Sequence, residues 1–553
     1  MSALTAGLIQ LAVLVFALAL VYRPAGAYLA SVYTGTTHNR IERLVYRLVR
    51  VDPDSDQRWS GYAIGVLGFS LVSILLLYLL QRLQALLPLD LGRGAVEPGT
   101  AFNTAVSFAT NTNWQSYVPE QTLGHLVQTV GLTVQNFVSA AVGMAVAVAL
   151  VRGFVRAGTD RIGNVWVDIT RGVVRVLLPV ALFAAVLFVA AGVVMSFAES
   201  VRITGLDGVV HDLPLAPAAS QEAIKILGTN GGGIYNANSA HPFENPAAWT
   251  NVLQIFLLLV IPVCLTRAFG IMVGNRRQGN VLIAVVGLLW SVLLAVTWWA
   301  ETHAHGPATL AAGAALEGKE TRFDITASVL FAVSTTGTST GAVNAMHDSF
   351  SGLGGGAVLL NILLGEIAPG GVGSGLYGLL VIAVLAVFLA GLMVGRSPEY
   401  LGKRIGRVEI SCAAISMLAM PAIVLLGTGT ALLRGATREA MTNGGAHGLS
   451  EVLYAYASAG NNNGSAFAGL TVTDPFFQAT LGVAMLLGRL LPIIAVLALA
   501  GALARQRAVS PSEGTLPTDG PLFAGLLTGT AVLFAALTFL PALALGPIAE
   551  ALA

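Results

Sequence analysis

Long apolar runs alternate with short polar stretches along most of this chain. Runs long enough to cross a bilayer core, which takes about twenty residues, fall at 4–22, 61–86, 124–151, 172–197, 248–270, 278–300, 408–433, 474–504 and 519–546, with a longer one at 353–395. Ten transmembrane helices are expected. Between some of them lie apolar segments of about ten residues, too short to cross, and each ends in a polar stretch rich in glycine, hydroxyls or amides. The four stretches are Thr110-Asn111-Thr112-Asn113-Trp114-Gln115, Gly228-Thr229-Asn230-Gly231-Gly232-Gly233, Ser334-Thr335-Thr336-Gly337-Thr338-Ser339-Thr340-Gly341 and Asn461-Asn462-Asn463-Gly464-Ser465. A short helix, a polar loop and then a full span is the order of a pore helix followed by a filter.

The chemistry of these stretches suits a partly dehydrated monovalent cation. Such an ion exchanges its water for oxygens, and rings of backbone carbonyls supply them. Glycine permits the backbone conformations that bring carbonyls to one axis, and Thr, Ser and Asn add further oxygens. Each short helix also directs the negative end of its dipole at the loop that follows. The candidate filter comprises Asn111, Thr112, Asn113 and Gln115; Thr229, Asn230, Gly231 and Gly232; Thr336, Gly337 and Thr338; and Asn462, Asn463 and Gly464. Aligned on central residues, Thr112, Gly231, Gly337 and Gly464 fall in register. The expected architecture is an all-α polytopic membrane protein with pseudo-fourfold repeats around a central cation filter. A first helix and loop occupy 1–60, helix–pore-loop–helix repeats occupy 61–151, 172–270, 278–395 and 408–507, and a last helix occupies 519–546.

Composition agrees with a membrane solvent: 55% of the 553 residues are hydrophobic, 10% are charged, and the mean hydropathy is +0.77. A net charge of +1 gives no basis for a nucleic-acid partner. Cys264 and Cys412 lie in apolar spans and read as packing residues. Charge sets the orientation. Arg40, Arg43, Arg47, Arg50, Arg152, Arg156, Arg171, Arg276, Arg277, Lys403, Arg404, Arg505 and Arg507 fall on one side of the spans, which the positive-inside rule makes cytoplasmic. Both termini and all four polar loops are then outside. Glu120, Glu199, Asp207, Asp212, Glu244, Glu301, Glu317, Glu320 and Asp348 share that side and suggest a cation-attracting vestibule. Ala25-Gly26-Ala27 is of the type a signal peptidase cleaves, but no basic residues precede the apolar run, so an uncleaved first helix is expected.

Two features interrupt the apolar pattern below the filter. The run 353–395 is broken by Gly365 to Gly375, including Glu366, Gly370 and Gly371. Irregular backbone at membrane depth needs cover from protein or a water-filled cavity, so this break reads as a gate beneath the pore. Arg489 lies in Leu486-Leu487-Gly488-Arg489-Leu490-Leu491-Pro492. An intramembrane charge faces a cavity or a partner; Arg489 reads either as a barrier to cations leaking inward or as a structural charge, paired or reaching to the interface.

Enzyme motifs are absent in any usable context. Gly337 to Gly341 matches GxSxG without a hydrolase sheet, and Gly373 to Gly378 matches GxGxxG without a strand–helix–strand unit. No phosphate loop is present, so ATP chemistry would belong to another chain. The residues alone give a cation pore and leave two readings: the ion-binding subunit of an ATP-driven pump, or a stand-alone channel or gradient-driven cation transporter.

The sequence also resembles a known family. The first, second and fourth polar stretches, Asn236 to Pro246, and Gly395-Arg396-Ser397-Pro398-Glu399-Tyr400-Leu401-Gly402 are similar to the KdpA family, the potassium-binding subunits of the Kdp potassium-transporting P-type ATPase. The likeness runs nearly end to end. It implies a ten-helix member of the potassium-transporter superfamily in a bacterial inner membrane, carrying K+ and working with the ATPase subunit KdpB and the small subunits KdpC and KdpF.

Overall fold

A computed structural model describes residues 3–304, 307–509 and 515–553. Among the described residues, ten helices are long and apolar enough to cross a membrane: Leu4–Thr34, Trp59–Arg82, Val127–Val155, Val165–Ala190, Ala248–Met272, Arg276–Thr302, Ser374–Val394, Arg407–Leu432, Pro475–Arg505 and Pro521–Leu552. The first is longer than the hydropathy pattern suggests. It continues through Arg23 and Pro24 to Thr34, because its last turns pack on other elements: Leu29, Ala30, Val32 and Tyr33 are all buried. A π-helical turn at Val127–Thr133 opens the third span, and one at Gly172–Leu177 joins the two helical segments of the fourth.

Burial sorts the spans into two rings. The second long helix of each repeat is the more enclosed, from 56% to 83% buried over its apolar window, whereas the first is only 22% to 39% buried. The outer helices therefore present Leu, Val and Phe to lipid, and the inner ones carry the packed core. The run at 353–395 is two helices, Gly352–Leu363 and Ser374–Val394, separated by a buried irregular segment.

The basic loops meet on one side of the molecule. Arg156 pairs with Asp56 at 2.9 Å, Arg58 and Arg505 both reach Asp160, and Lys403 Nζ donates to the Arg156 carbonyl. A short amphipathic helix, Arg40–Leu48, lies there and was not evident from the hydropathy pattern. On the opposite side, Gly7 lies beside Thr326 at the start of the third pore helix. His447, in the first turn of the fourth pore helix, joins Asp348 (3.2 Å) to Glu550 near the chain's end (2.9 Å). Gly7 and Glu550, near the two ends of the chain, thus lie on the face that carries the pore-helix entries. A two-stranded hairpin, Ser200–Thr204 with Val210–Pro214, projects from it.

Candidate ion-selectivity filter and its underside

Four short helices, Pro98–Ala109, Ala218–Leu227, Asp324–Thr336 and Gly445–Asn461, deliver the chain into the four polar loops. Each loop has the same backbone pattern. One amide N–H reaches back five residues: Thr112 to the Ser107 carbonyl at 2.9 Å, Asn230 to Lys225 at 2.9 Å, Thr340 to Thr335 at 3.3 Å, and Asn463 to Ser458 at 2.8 Å. The residues on either side of that amide have positive φ: Asn111 and Asn113, Thr229 and Gly231, Ser339 and Gly341, Asn462 and Gly464.

This pattern fixes a register different from the one expected from central residues. Thr112 corresponds to Asn230, Thr340 and Asn463, while Gly231 and Gly464 correspond to Asn113 and Gly341. The third repeat shifts most. Thr336 is the last residue of its helix, with its hydroxyl turned back to the Ala332 carbonyl, and Gly337 caps that helix. Ser339, Thr340 and Gly341 therefore belong to the loop and were left out of the candidate set. In three repeats the glycine is the fourth residue of the loop, a signal that was available in the sequence.

The loops touch in chain order and close a ring. Asn111 Nδ2 donates to the Thr229 carbonyl at 2.7 Å, and Ser339 Oγ donates to the Asn462 carbonyl at 3.0 Å. Asn462 Nδ2 donates to Thr112 Oγ1 at 2.9 Å, joining the fourth loop to the first. The glycines make the approach possible. A β-carbon at Gly231 would lie 1.7 Å from the Thr340 carbonyl oxygen, one at Gly341 2.4 Å from that of Asn463, and one at Gly464 2.0 Å from that of Thr112. The first repeat departs from the rule. Asn113 occupies the equivalent place, tolerates positive φ as Asn does, and ties its side chain to Asn136 at 2.7 Å.

A cavity of about 470 Å³ sits over this ring and is lined by Asn113, Gly231, Gly341 and Gly464. Gln115 and Gly232 also line it, and the Gln115 side chain accepts from the Gly233 N–H at 3.0 Å. Its acidity is less than the sequence suggests. Glu320 lines it, but Glu244 and Glu301 are buried in ion pairs with Lys225 and Lys319, and Asp207 and Asp212 lie on the projecting hairpin. Lying on one face of the molecule does not mean sharing a cavity.

The broken segment packs against the opposite end of the loops. Gly370 N–H donates to the Gly337 carbonyl at 2.7 Å, Val372 N–H donates to Thr229 Oγ1 at 3.0 Å, and Gly371 lies against Ser339 and the Thr338 carbonyl. Below the ring is a cavity of about 100 Å³, lined among others by Ser339, Glu366, Asn462 and Arg489. Glu366 is buried, and neither carboxylate oxygen has a hydrogen-bond partner among the described residues. Arg489 is also buried and reaches the Ser139 carbonyl at 3.5 Å. It forms no ion pair among the described residues. Burial rules out the reading in which it reaches to the interface.

Residues 12–552 match the family model described as "Potassium-transporting ATPase A subunit", KdpA. This chain belongs to the KdpA family. Proteins named "Potassium-transporting ATPase potassium-binding subunit" are similar to it throughout. That of Rhodococcus erythropolis is 62% identical, and that of Kineococcus radiotolerans 60%, each alignment covering 100% of this chain and 99% of the relative. That of Streptomyces coelicolor is 58% identical, with both chains covered in full. The solved structure of the potassium transporter TrkH from Vibrio parahaemolyticus aligns with a TM-score of 0.53 at 16% identity, covering 86% of this chain and 97% of TrkH. At that identity the likeness speaks for the fold alone. This KdpA-family chain thus shares the fold of TrkH.

Proposed function

We propose that this chain is the potassium-binding, membrane-embedded subunit of an ATP-driven uptake complex. Four repeats, over 61–151, 172–270, 278–395 and 408–507, surround one path. K+ enters from outside through the vestibule and gives up water to the oxygens of loops 111–113, 229–232, 338–341 and 462–464. The segment with Glu366, Gly370 and Gly371 acts as a gate under the ring, and Arg489 opposes free passage of cations into the cytoplasm. KdpB supplies ATP hydrolysis, and KdpC and KdpF complete the complex in a bacterial inner membrane, with both termini of this chain outside. The observation that carries the reading is the closed ring of four equivalent loops under an open polar vestibule, with a narrower charged cavity beneath.

Purification from the native membrane tests it. A P-type ATPase recovered in equal amount, with hydrolysis stimulated by K+, is expected. A lone protein that conducts K+ after reconstitution would overturn the pump reading in favour of a stand-alone channel or gradient-driven transporter. Potassium-dependent ATP hydrolysis by the chain alone would overturn the division of labour.

A further inference from the structure

A group of buried charges behind the second loop plays no part in the path described above. Lys225, near the C-terminal end of the second pore helix, is fully buried, and Glu222 and Glu244 are each 1% exposed. Lys225 Nζ lies 2.6 Å from Glu222 Oε2 and 2.7 Å from Glu244 Oε2, and it donates to Asn238 Oδ1 at 2.9 Å. Taking an ammonium and two carboxyl groups out of water is costly, and a buried ion pair is weak evidence for stability, since a well-packed apolar cluster of the same size often does as well. The arrangement therefore calls for a use beyond packing.

Its hydrogen bonds lead to the filter. Asn238, whose amide oxygen faces Lys225, donates from Nδ2 to the Gly231 carbonyl at 2.8 Å. The same amide oxygen accepts from the Val343 N–H at 3.3 Å, just beyond the third loop. Glu244 Oε1 accepts from the Ile234 and Tyr235 N–H groups at 3.2 and 3.1 Å, where the chain leaves the second loop. Glu222 is tied to Ser239 Oγ at 2.9 Å. Three buried side chains and one amide thus hold the outer limb of the second loop from behind and connect it to the third.

We propose that Lys225, clamped by Glu222 and Glu244, acts through Asn238 as a positioning group for the Gly231 carbonyl and so sets how well the mouth of the filter tells K+ from Rb+. This rests on the filter reading of the second loop. Selectivity depends on the number and orientation of carbonyl dipoles as well as on cavity size. A loop whose glycine lacks steric restraint needs another restraint to keep one geometry. The buried cluster supplies it because an ammonium held by two glutamate side chains fixes the amide that faces it, and the amide fixes the carbonyl.

The experiment titrates the assembled complex separately with K+ and Rb+ and reads the ratio of the two half-saturation concentrations, together with assembly yield. Asn238→Ala removes the donor to Gly231 without unpairing a charge. It should move the Rb+/K+ ratio about three- to tenfold toward equality, the size expected from one lost hydrogen bond, with assembly preserved. Lys225→Met should move it in the same direction, with a loss of yield because two buried carboxyl groups lose their cationic partner. Ser239→Ala touches only the Glu222 end and should leave the ratio unchanged. A wild-type complex indifferent to K+ would sink the filter reading itself. A wild type that discriminates, beside an Asn238→Ala complex with the same ratio, would overturn the positioning role alone. Failure of both Asn238→Ala and Lys225→Met to assemble would assign the cluster to folding and overturn it as well.

Discussion

The two ends of the filter are built on opposite principles. Above the ring, a wide polar cavity is lined mainly by backbone and amide groups, and the nearby carboxylates Glu244 and Glu301 are paired with lysines. Below it, a cavity about one fifth as large is lined by a carboxylate and a guanidinium that are not paired with each other. On the proposed reading, the difference follows from what each end would do. A mouth that binds an ion needs neutral, oriented dipoles, which attract a cation without trapping it. A closure needs charges in low dielectric, where each is felt strongly by an ion that comes near.

The largest effect is expected at the ring. Gly231→Asp adds a side chain at φ +106 and places its β-carbon on the Thr340 carbonyl, so the second and third loops must separate. Potassium affinity should fall at least tenfold, about 1.4 kcal/mol, with rubidium and sodium competing better. Gly341→Ala should resemble it, since its β-carbon would meet the Asn463 carbonyl. Potassium titration of the assembled variants checks both, and a wild-type concentration dependence and ion preference would remove the second loop, or the revised register, from the filter.

Next in size is the underside. Arg489→Gln keeps a donor but removes the charge, and the K+ moved per ATP should fall by roughly two- to fivefold, the effect of a barrier lower by about 0.5–1 kcal/mol. Ion affinity at the mouth should change little. Equal coupling in variant and wild type, measured in reconstituted vesicles, would leave Arg489 a structural role only.

A smaller effect concerns the outer frame of the mouth. Asp348 and Glu550, hydrogen-bonded to the two ring nitrogens of His447, raise its pKa from the usual 6.5 to about 10. A raised folded-state pKa contributes stability that is complete below about 6.5 and lost as pH climbs through the folded value. The thermal midpoint of the complex should therefore decline between pH 7 and 10, and His447→Gln should lower the neutral-pH midpoint and flatten that decline. An identical slope in the variant would show that another group titrates. Smallest of all, Gly205→Ala on the hairpin meets only the ends of the movable Asp207 and His211 side chains and should leave transport at the wild-type rate.

Much of the fold was legible because the bilayer imposes lengths. Spans near twenty residues and pore segments near ten are separated by hydropathy alone, and the interrupted run at 353–395 could not be one helix. By hydropathy the first helix ends at Tyr22, where Arg23 follows the apolar run; the partners that bury Leu29 to Tyr33 are distant in sequence. The charged residues followed the same division. The face of the molecule on which the basic loops gather was written in their order, but pairing was not. Nothing local to Glu244 predicts that Lys225, in the preceding helix, will hold it.

The sequence by itself determined that four polar loops follow four short helices, that they suit a dehydrated cation, and which family the chain resembles. Periodicity and composition carry that information because membrane insertion and dihedral freedom are local properties. Only the tertiary structure decided the register of the loops. Thr336 and Gly337 look as suitable for a filter as Thr340 and Gly341, and what separates them is where the third pore helix ends and how near the next loop's carbonyl comes. The same holds for Glu366 and Arg489, which are more than a hundred residues apart and share a cavity because the broken segment folds under the ring. Contacts of that kind depend on the summed packing of several helices, which no single stretch of chain encodes.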